Sequence, residues 1–248
     1  MSIKKHIPNF FTALNLLSGS IAVPFIFSQR LSLSAWLICL AAVFDFIDGF
    51  AARLLKATNS IGKELDSLAD MVSFGLVPGL ILYMLIQTPL KTLPVDEGLR
   101  LILPYSGLLI PVFSALRLAK FNTDDRQIHE FIGLPTPANA ILIGSFPLML
   151  SSPAIITGYK LQGVISLLQN PYFLTFLSLV LSWLLVSGLR LMSLKFKTYT
   201  WRENKARYLL LILSLLLLVL FHYFAVPLII LLYLFLSLFK MKSASSPV

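Results

Sequence analysis

Apolar residues run through this chain in long blocks, separated by short polar or proline-bearing stretches. The blocks approach the roughly 20 residues that a helix needs to cross a bilayer, and the two-residue alternation of a membrane barrel is absent. The pattern predicts helical spans at about 10–28, 33–56, 62–87, 99–119, 136–153, 171–191, 207–223 and 225–240. The expected fold is an all-α, polytopic transmembrane helical bundle of about eight spans. Pro24, Pro78, Pro104 and Pro147 fall inside these runs and are expected to bend them, as membrane helices tolerate. No internal repeat or low-complexity linker divides the chain, so one domain over residues 1–248 is expected, with the last two spans (about 207–240) accessory to it. Lys4, Lys5 and Pro8 give the start a resemblance to a signal peptide. No small-residue cleavage site follows the first run, so that run is expected to stay as a helix.

Composition agrees with the pattern. The 248 residues are 57% hydrophobic and 12% charged, with a mean hydropathy of +0.86, where soluble domains carry about 25% charged residues. Cys39, the only cysteine, sits in an apolar run, which excludes an internal disulfide and reads as an inert buried thiol. The net charge of +9 raises nucleic acid as a partner. In a membrane chain, however, basic residues mark cytoplasmic loops and anionic headgroups, so no nucleic-acid partner is expected. The basic residues are unevenly distributed. With the N-terminus inside, sixteen of the twenty Lys and Arg lie on the cytoplasmic side, and only Arg30, Lys91, Arg100 and Lys160 lie outside. This predicts an N-in, C-in protein of the cytoplasmic (inner) membrane.

Four aspartates interrupt the second and third runs. Asp45 and Asp48 are three apart and Asp66 and Asp70 four apart, so each pair shares a helix face. The expected turn between the two helices, near Thr58-Asn59-Ser60, faces the cytoplasm, which places the carboxylates one to three turns below the inner surface. An acid at mid-bilayer costs about 2.5–3.5 kcal/mol, so four approach roughly 10 kcal/mol unless neutralised. Arg53 and Lys63 can pair with two at most. Two facing pairs form a nest of hard oxygen ligands suited to Mg²⁺ or Mn²⁺. Ion pairing between helices and a cation or proton pathway are the competing readings; against transport, the acids do not recur on other spans.

Other chemistry is sparse. His6, His129 and His222 are scattered, no His/Cys pair has zinc spacing, and there is no Walker-type glycine loop or serine–histidine pair. Gly49 and Gly62 read either as helix-packing glycines or as points of close ligand approach. Arg53 reads either as a topology residue or as a phosphate clamp.

The run Asp45-x-x-Asp48-Gly49-x-x-Ala52-Arg53-(x8)-Gly62-x-x-x-Asp66-x-x-x-Asp70 resembles, without a departure, the signature of the CDP-alcohol phosphatidyltransferases. The resemblance implies displacement of CMP from a CDP-linked lipid by an alcohol hydroxyl. It implies two divalent cations, Mg²⁺ or Mn²⁺, on Asp45, Asp48, Asp66 and Asp70, with Asp70 taking the proton from the alcohol. Gly49, Ala52, Arg53 and Gly62 would line the cytidine nucleotide site, and a homodimer through the membrane helices is expected.

Softer motifs bear on the alcohol. Pro8-Asn9-x-x-Thr12-x-x-Asn15, Asp70-Met-Val-Ser73-Phe-Gly75, Arg117-Leu-Ala-Lys120-Phe-Asn122 and Gly133-Leu-Pro135-Thr-Pro137-Ala resemble the bacterial and archaeal phosphatidylserine synthases over roughly residues 6–200. This branch implies CDP-diacylglycerol and L-serine as substrates and phosphatidylserine and CMP as products. Arg117 and Lys120 are then candidates for the acceptor, and Thr12 and Asn15 for the nucleotide. Each keeps a structural alternative: Arg117 as a topology residue, Thr12 and Asn15 as helix–helix hydrogen bonders, and Pro135 and Pro137 as ordinary loop and helix-start prolines. Glycerol 3-phosphate or an inositol phosphate remains the alternative acceptor.

Overall fold

A computed structural model describes residues 6–56, 60–123, 131–152, 162–192 and 200–244. Eleven α-helices appear among them: α1 His6–Phe27, α2 Leu31–Leu54, α3 Ser60–Asp70, α4 Val77–Leu90, α5 Glu97–Ile102, α6 Leu109–Thr123, α7 Thr136–Leu150, α8 Gln162–Leu168, α9 Pro171–Val186, α10 Trp201–Phe221 and α11 Ala225–Ala244. The helical expectation holds, with one small addition. β1 (Phe131–Ile132) and β2 (Arg190–Leu191) pair antiparallel, with Phe131 opposite Leu191 and Ile132 opposite Arg190.

Side chains at helix starts set several boundaries. Asp96 accepts from the amides of Gly98 and Leu99 ahead of α5, and Asn170 accepts from Tyr172 and Phe173 ahead of α9. Each cap satisfies donors that a helix start leaves open.

The prolines divide into two kinds. Pro24 and Pro147 lie within α1 and α7. Pro78 and Pro104 lie where the backbone changes its hydrogen-bond step. Pro104 begins a 3₁₀ segment, Leu103–Leu108, and Pro78 follows a π-helical segment, Met71–Leu76, in which the Val77 amide reaches back to the Val72 carbonyl. A proline ring clashes with the carbonyl four residues earlier, here that of Phe74, and the wider π turn relieves the clash.

Among the described residues, five stretches are long and apolar enough to cross a membrane: His6–Phe27, Leu31–Leu54, Ile61–Leu90, Glu97–Thr123 and Asn204–Leu238. Counting Gln162–Leu168 with Pro171–Val186, bent by 76°, makes six. The eight expected spans are therefore not all met by length and composition. Thr136–Leu150 has only 15 residues, about 22 Å at 1.5 Å per residue, against roughly 30 Å of hydrocarbon. The stretch from 204 to 238 turns at His222–Phe224, and Leu210 and Tyr233 share one apolar cluster, so α10 and α11 fold back on each other as a hairpin. The cytoplasmic turn expected near Thr58-Asn59-Ser60 falls largely outside the described residues, as do Lys4, Lys5, Arg126, Lys160, Lys195 and Lys197 of the charge pattern and His129.

Ile61–Leu90 is the centre of the bundle. It buries 67% of its apolar window, where the other four stretches bury 17–33%. Phe74, Val77, Ile81, Leu82, Leu85 and Ile86 supply its part of the main core, which Ala22, Ile26, Ile38 and Ala41 join from α1 and α2. Small residues bring α1 and α2 close enough for Ser34 Oγ to donate to the Ala22 carbonyl at 3.0 Å.

Candidate active site

The two aspartate pairs come together as their spacing predicts. α2 carries Asp45 and Asp48, α3 carries Asp66, and one carboxylate oxygen from each of the three lies within 4.8 Å of the others. Asp48 is 5% exposed, and Asp45 and Asp66 are half-buried. Asp48 Oδ2 and Asp66 Oδ1 are buried without a hydrogen-bond donor. Three clustered carboxylates, two of them with an orphaned buried oxygen, repel one another unless a cation sits among them, and an all-oxygen donor set fits Mg²⁺ or Mn²⁺. The residues present thus fit a divalent metal.

Asp70 adjoins that triplet, within electrostatic reach of all three carboxylates. At the end of α3 and the head of the π segment, it is 9% exposed, and its Oδ1 accepts from Asn15 Nδ2 of α1 at 3.2 Å. Thr12, one turn earlier on α1, donates to the Pro8 carbonyl at 3.1 Å and faces Asp48, whose other neighbour is the Gly49 amide. Both α1 residues singled out in the sequence therefore face carboxylates. Ser73, three residues beyond Asp70, adds a second bond to the same residue of α1, donating to the Asn15 carbonyl at 3.0 Å. That approach depends on Gly19, where an added Cβ would lie 2.9 Å from Ser73 Cα.

The remaining signature residues lie on the same two helices. Gly49, Ala52 and Gly62 are half-buried, and Arg53 is exposed, with Nη1 lying over Gly49, 3.8 Å from where a Cβ would be. Lys63 is used in the fold: its Nζ donates to the Asn122 carbonyl at 3.0 Å, while Asn122 Nδ2 donates to Ser67 Oγ at 2.8 Å. These bonds tie α3 to the end of α6.

Arg117 lies inside the bundle, 6% exposed, and its Nε and Nη2 have no hydrogen-bond partner. Asp70 and Tyr233 are within its electrostatic reach. Lys120, by contrast, is exposed at the end of α6. The Gly133 motif lies beyond β1, and Gly133 has φ +76°, a conformation that favours glycine. An added Cβ there would meet the Leu185 carbonyl oxygen, and the Gly133 and Leu134 amides donate to the Leu189 and Leu184 carbonyls at 2.9 and 3.0 Å. The motif therefore docks on the end of α9.

Sequence reasoning missed three features: the π segment beside Asp70, the buried Ser114 one turn before Arg117, and Tyr233. Pro78 offered a signal for the first, and the i, i+3 spacing from Arg117 a signal for the second. Tyr233 lies in an apolar run with nothing to mark it.

Comparison with known proteins agrees with this arrangement. Residues 5–170 match the CDP-alcohol phosphatidyltransferase family. A Helicobacter pylori protein named CDP-diacylglycerol–serine O-phosphatidyltransferase is 36% identical over 138 residues, covering 55% of this chain and 54% of its own length. Proteins of the same name from Mycobacterium tuberculosis (34% over 193 residues, 74% of this chain and 59% of the relative) and Bacillus subtilis (36% over 132 residues, 53% and 70%) are also similar. The chain thus spans about half the length of the Helicobacter relative. With the complete signature carried on α2 and α3 and the match extending over residues 5–170, the chain belongs to the CDP-alcohol phosphatidyltransferase family.

Proposed function

We propose that this protein transfers a phosphatidyl group from CDP-diacylglycerol to the hydroxyl of L-serine, giving phosphatidylserine and CMP. The observation that carries the reading is the convergence of Asp45, Asp48 and Asp66 within 4.8 Å, with buried, donor-free oxygens, beside an Asp70 held by Asn15. Serine as the acceptor is supported by the names of the similar proteins and by a buried arginine suited to a carboxylate.

In this reading Asp45, Asp48, Asp66 and Asp70 hold two Mg²⁺ or Mn²⁺ ions. When bound, such ions neutralise the pyrophosphate and stabilise the entering and leaving oxygens of an in-line displacement. The rest falls to the chain's own groups. Asn15 fixes the Asp70 carboxylate, leaving its second oxygen to accept the proton of the serine hydroxyl as the serine oxygen attacks the lipid-linked phosphorus. The bond from phosphorus to the CMP oxygen breaks, and CMP leaves with the electron pair. Gly49, Ala52, Arg53 and Gly62, with Thr12 and Asn15 beneath, receive the nucleotide, and the Arg53 guanidinium over Gly49 is available to a phosphate. Arg117, with Lys120 at the rim, receives serine. Most of the catalysis is positioning and charge, as phosphoryl transfer demands.

The proposal extends to the whole chain as one domain in the cytoplasmic membrane. It has eight crossings, both termini inside and the aspartates open to the cytoplasm. It is supported by the distribution of basic residues and by the folding back of α10 and α11, with Thr136–Leu150 as a short crossing sheathed by its neighbours.

Purified protein in detergent, given CDP-diacylglycerol, Mg²⁺ or Mn²⁺ and labelled serine, should release CMP and labelled lipid in equal amounts. EDTA should stop both, and excess metal should restore them. CMP release that depends on glycerol 3-phosphate or an inositol phosphate but not on serine would replace the acceptor. Metal-dependent cation uptake into liposomes without any CMP formation would replace the reaction.

A further inference from the structure

The motif Arg117-Leu-Ala-Lys120-Phe-Asn122 ends on a residue to which the proposed reaction gives no task. Asn122 Nδ2 donates to Ser67 Oγ at 2.8 Å, and the Asn122 carbonyl accepts from Lys63 Nζ at 3.0 Å. Ser67 Oγ in turn donates to the Lys63 carbonyl at 3.2 Å. Ser67 directly follows Asp66 and stands three residues before Asp70. The Lys63 ammonium meets the last turn of α6, the end of a helix that favours a cation. Ser67 and Asn122 are half-buried, so their bond is partly shielded from water.

These bonds form one end of a seam. An added Cβ at Gly79 would lie 2.6 Å from Pro111 Cδ, and one at Gly75 would lie 3.2 Å from Ser114 Cβ. Stepping back from Gly79 to Gly75 to Ser67 therefore steps forward along α6 from Pro111 to Ser114 to Asn122, an antiparallel register. Asp70 and Arg117 fall between the Gly75–Ser114 contact and the Ser67–Asn122 bond, one on each wall. Those two ties are eight residues apart on α6, about 12 Å. α6 packs along the π segment, but among the described residues it meets α3 itself little. The walls part beyond the π segment, and Lys63, Ser67 and Asn122 span the opening.

We propose that Lys63, Ser67 and Asn122 are positioning residues that form a latch across this seam, holding the aspartate wall against α6 and keeping water from the reacting phosphorus. The latch rests on the phosphatidyl-transfer reading and serves any acceptor alcohol. Water competes with the alcohol for the same phosphorus. In that side reaction the water oxygen bonds to phosphorus as the bond to the CMP oxygen breaks. CMP leaves with the electron pair, the proton passes to Asp70, and the lipid product is phosphatidate. A loosened latch costs the alcohol its alignment and admits water, so transfer falls while hydrolysis gains.

Full-length wild type, Ser67→Ala, Asn122→Ala, the double variant and Ser67→Thr are given acyl-labelled CDP-diacylglycerol, Mn²⁺ and serine, and phosphatidylserine and phosphatidate are separated. Ser67→Ala and Asn122→Ala should each lower kcat for transfer about tenfold and raise the ratio of phosphatidate to phosphatidylserine about tenfold. The double variant should match either single one within about twofold, because one bond is lost only once. Ser67→Thr, which keeps the hydroxyl, should hold the wild-type ratio. If Asn122→Ala fails to fold, Ser67→Ala against Ser67→Thr carries the same comparison. Losses that multiply in the double variant overturn the latch, as does an unchanged product ratio while rate and Tm fall together. If only glycerol 3-phosphate or an inositol phosphate releases CMP, serine falls as acceptor and the same ratios read the latch with that alcohol. If no alcohol releases CMP, the reaction falls and the latch is read by access at Met71, whose Sδ would lie 3.2 Å from a Cβ at Gly75. In a Cys39→Ala background, Met71→Cys should react with a soluble maleimide about tenfold faster once Asn122→Ala is added, and equal rates overturn the latch.

Discussion

At the residue scale, the proposed reaction asks all four aspartates to hold metal and Asp70 to take a proton as well. Asp45, Asp48 and Asp66 converge, and two of their buried oxygens lack donors, whereas Asp70 is held by Asn15. Asp48→Asn should therefore abolish metal-dependent turnover and weaken Mn²⁺ binding by an order of magnitude or more. Asp70→Asn should lose turnover by about a hundredfold or more while retaining Mn²⁺ binding by the triplet. Isothermal titration with Mn²⁺ beside a CMP-release assay separates the two, and near-normal turnover in Asp70→Asn removes it as the base. Packing makes an equally local prediction. Gly19→Ala sets a Cβ 2.9 Å from the Ser73 backbone, and overpacking of that kind costs about 1–3 kcal/mol. A lowered Tm in detergent is expected; an unchanged Tm would mean that α1 and the π segment approach less closely.

At the element scale, the π segment matters most. It begins immediately after Asp70 and ends just before Pro78, and it carries Ser73 against Asn15. One residue fewer in Met71–Leu76 would restore an ordinary helical step and turn everything beyond it by about 100° relative to Asp70. Deleting Val72 should therefore leave a helical, membrane-extracted protein by circular dichroism and abolish CMP release. Retained activity would show that the π turn is incidental. The same segment shows what the sequence does and does not disclose. Asp45, Asp48, Asp66 and Asp70 are legible because helical spacing alone puts each pair on one face. The turn type is a response to Pro78 and to packing against α1 and α6, which only tertiary structure supplies. β1 and β2, two residues each, lack the length for an alternation to register. Tyr233 is illegible for a different reason: its polarity is directed at a backbone carbonyl 41 residues away.

At the scale of the whole molecule, the spans the sequence suggests and those that length and composition support differ where the bundle shelters a short helix. α7 is buried along most of its 15 residues, so its ends need not reach both interfaces to be shielded from lipid. The proposed orientation makes a direct prediction. In a Cys39→Ala background, a cysteine at Lys91 should react with a membrane-impermeant maleimide from outside intact cells, and a cysteine at Lys120 only after lysis. The reverse pattern would invert the site, and labelling of both from one side would change the span count.

The hydrogen bond from Asn15 to Asp70 joins residues 55 apart in the chain. A chain made at about 5–20 residues per second supplies those residues over roughly 3–11 seconds. For that interval α1 exists with a polar amide and no Asp70 to receive it. The first helix is thus built with that amide unmet, and the arrival of Asp70 at the end of α3 supplies its acceptor.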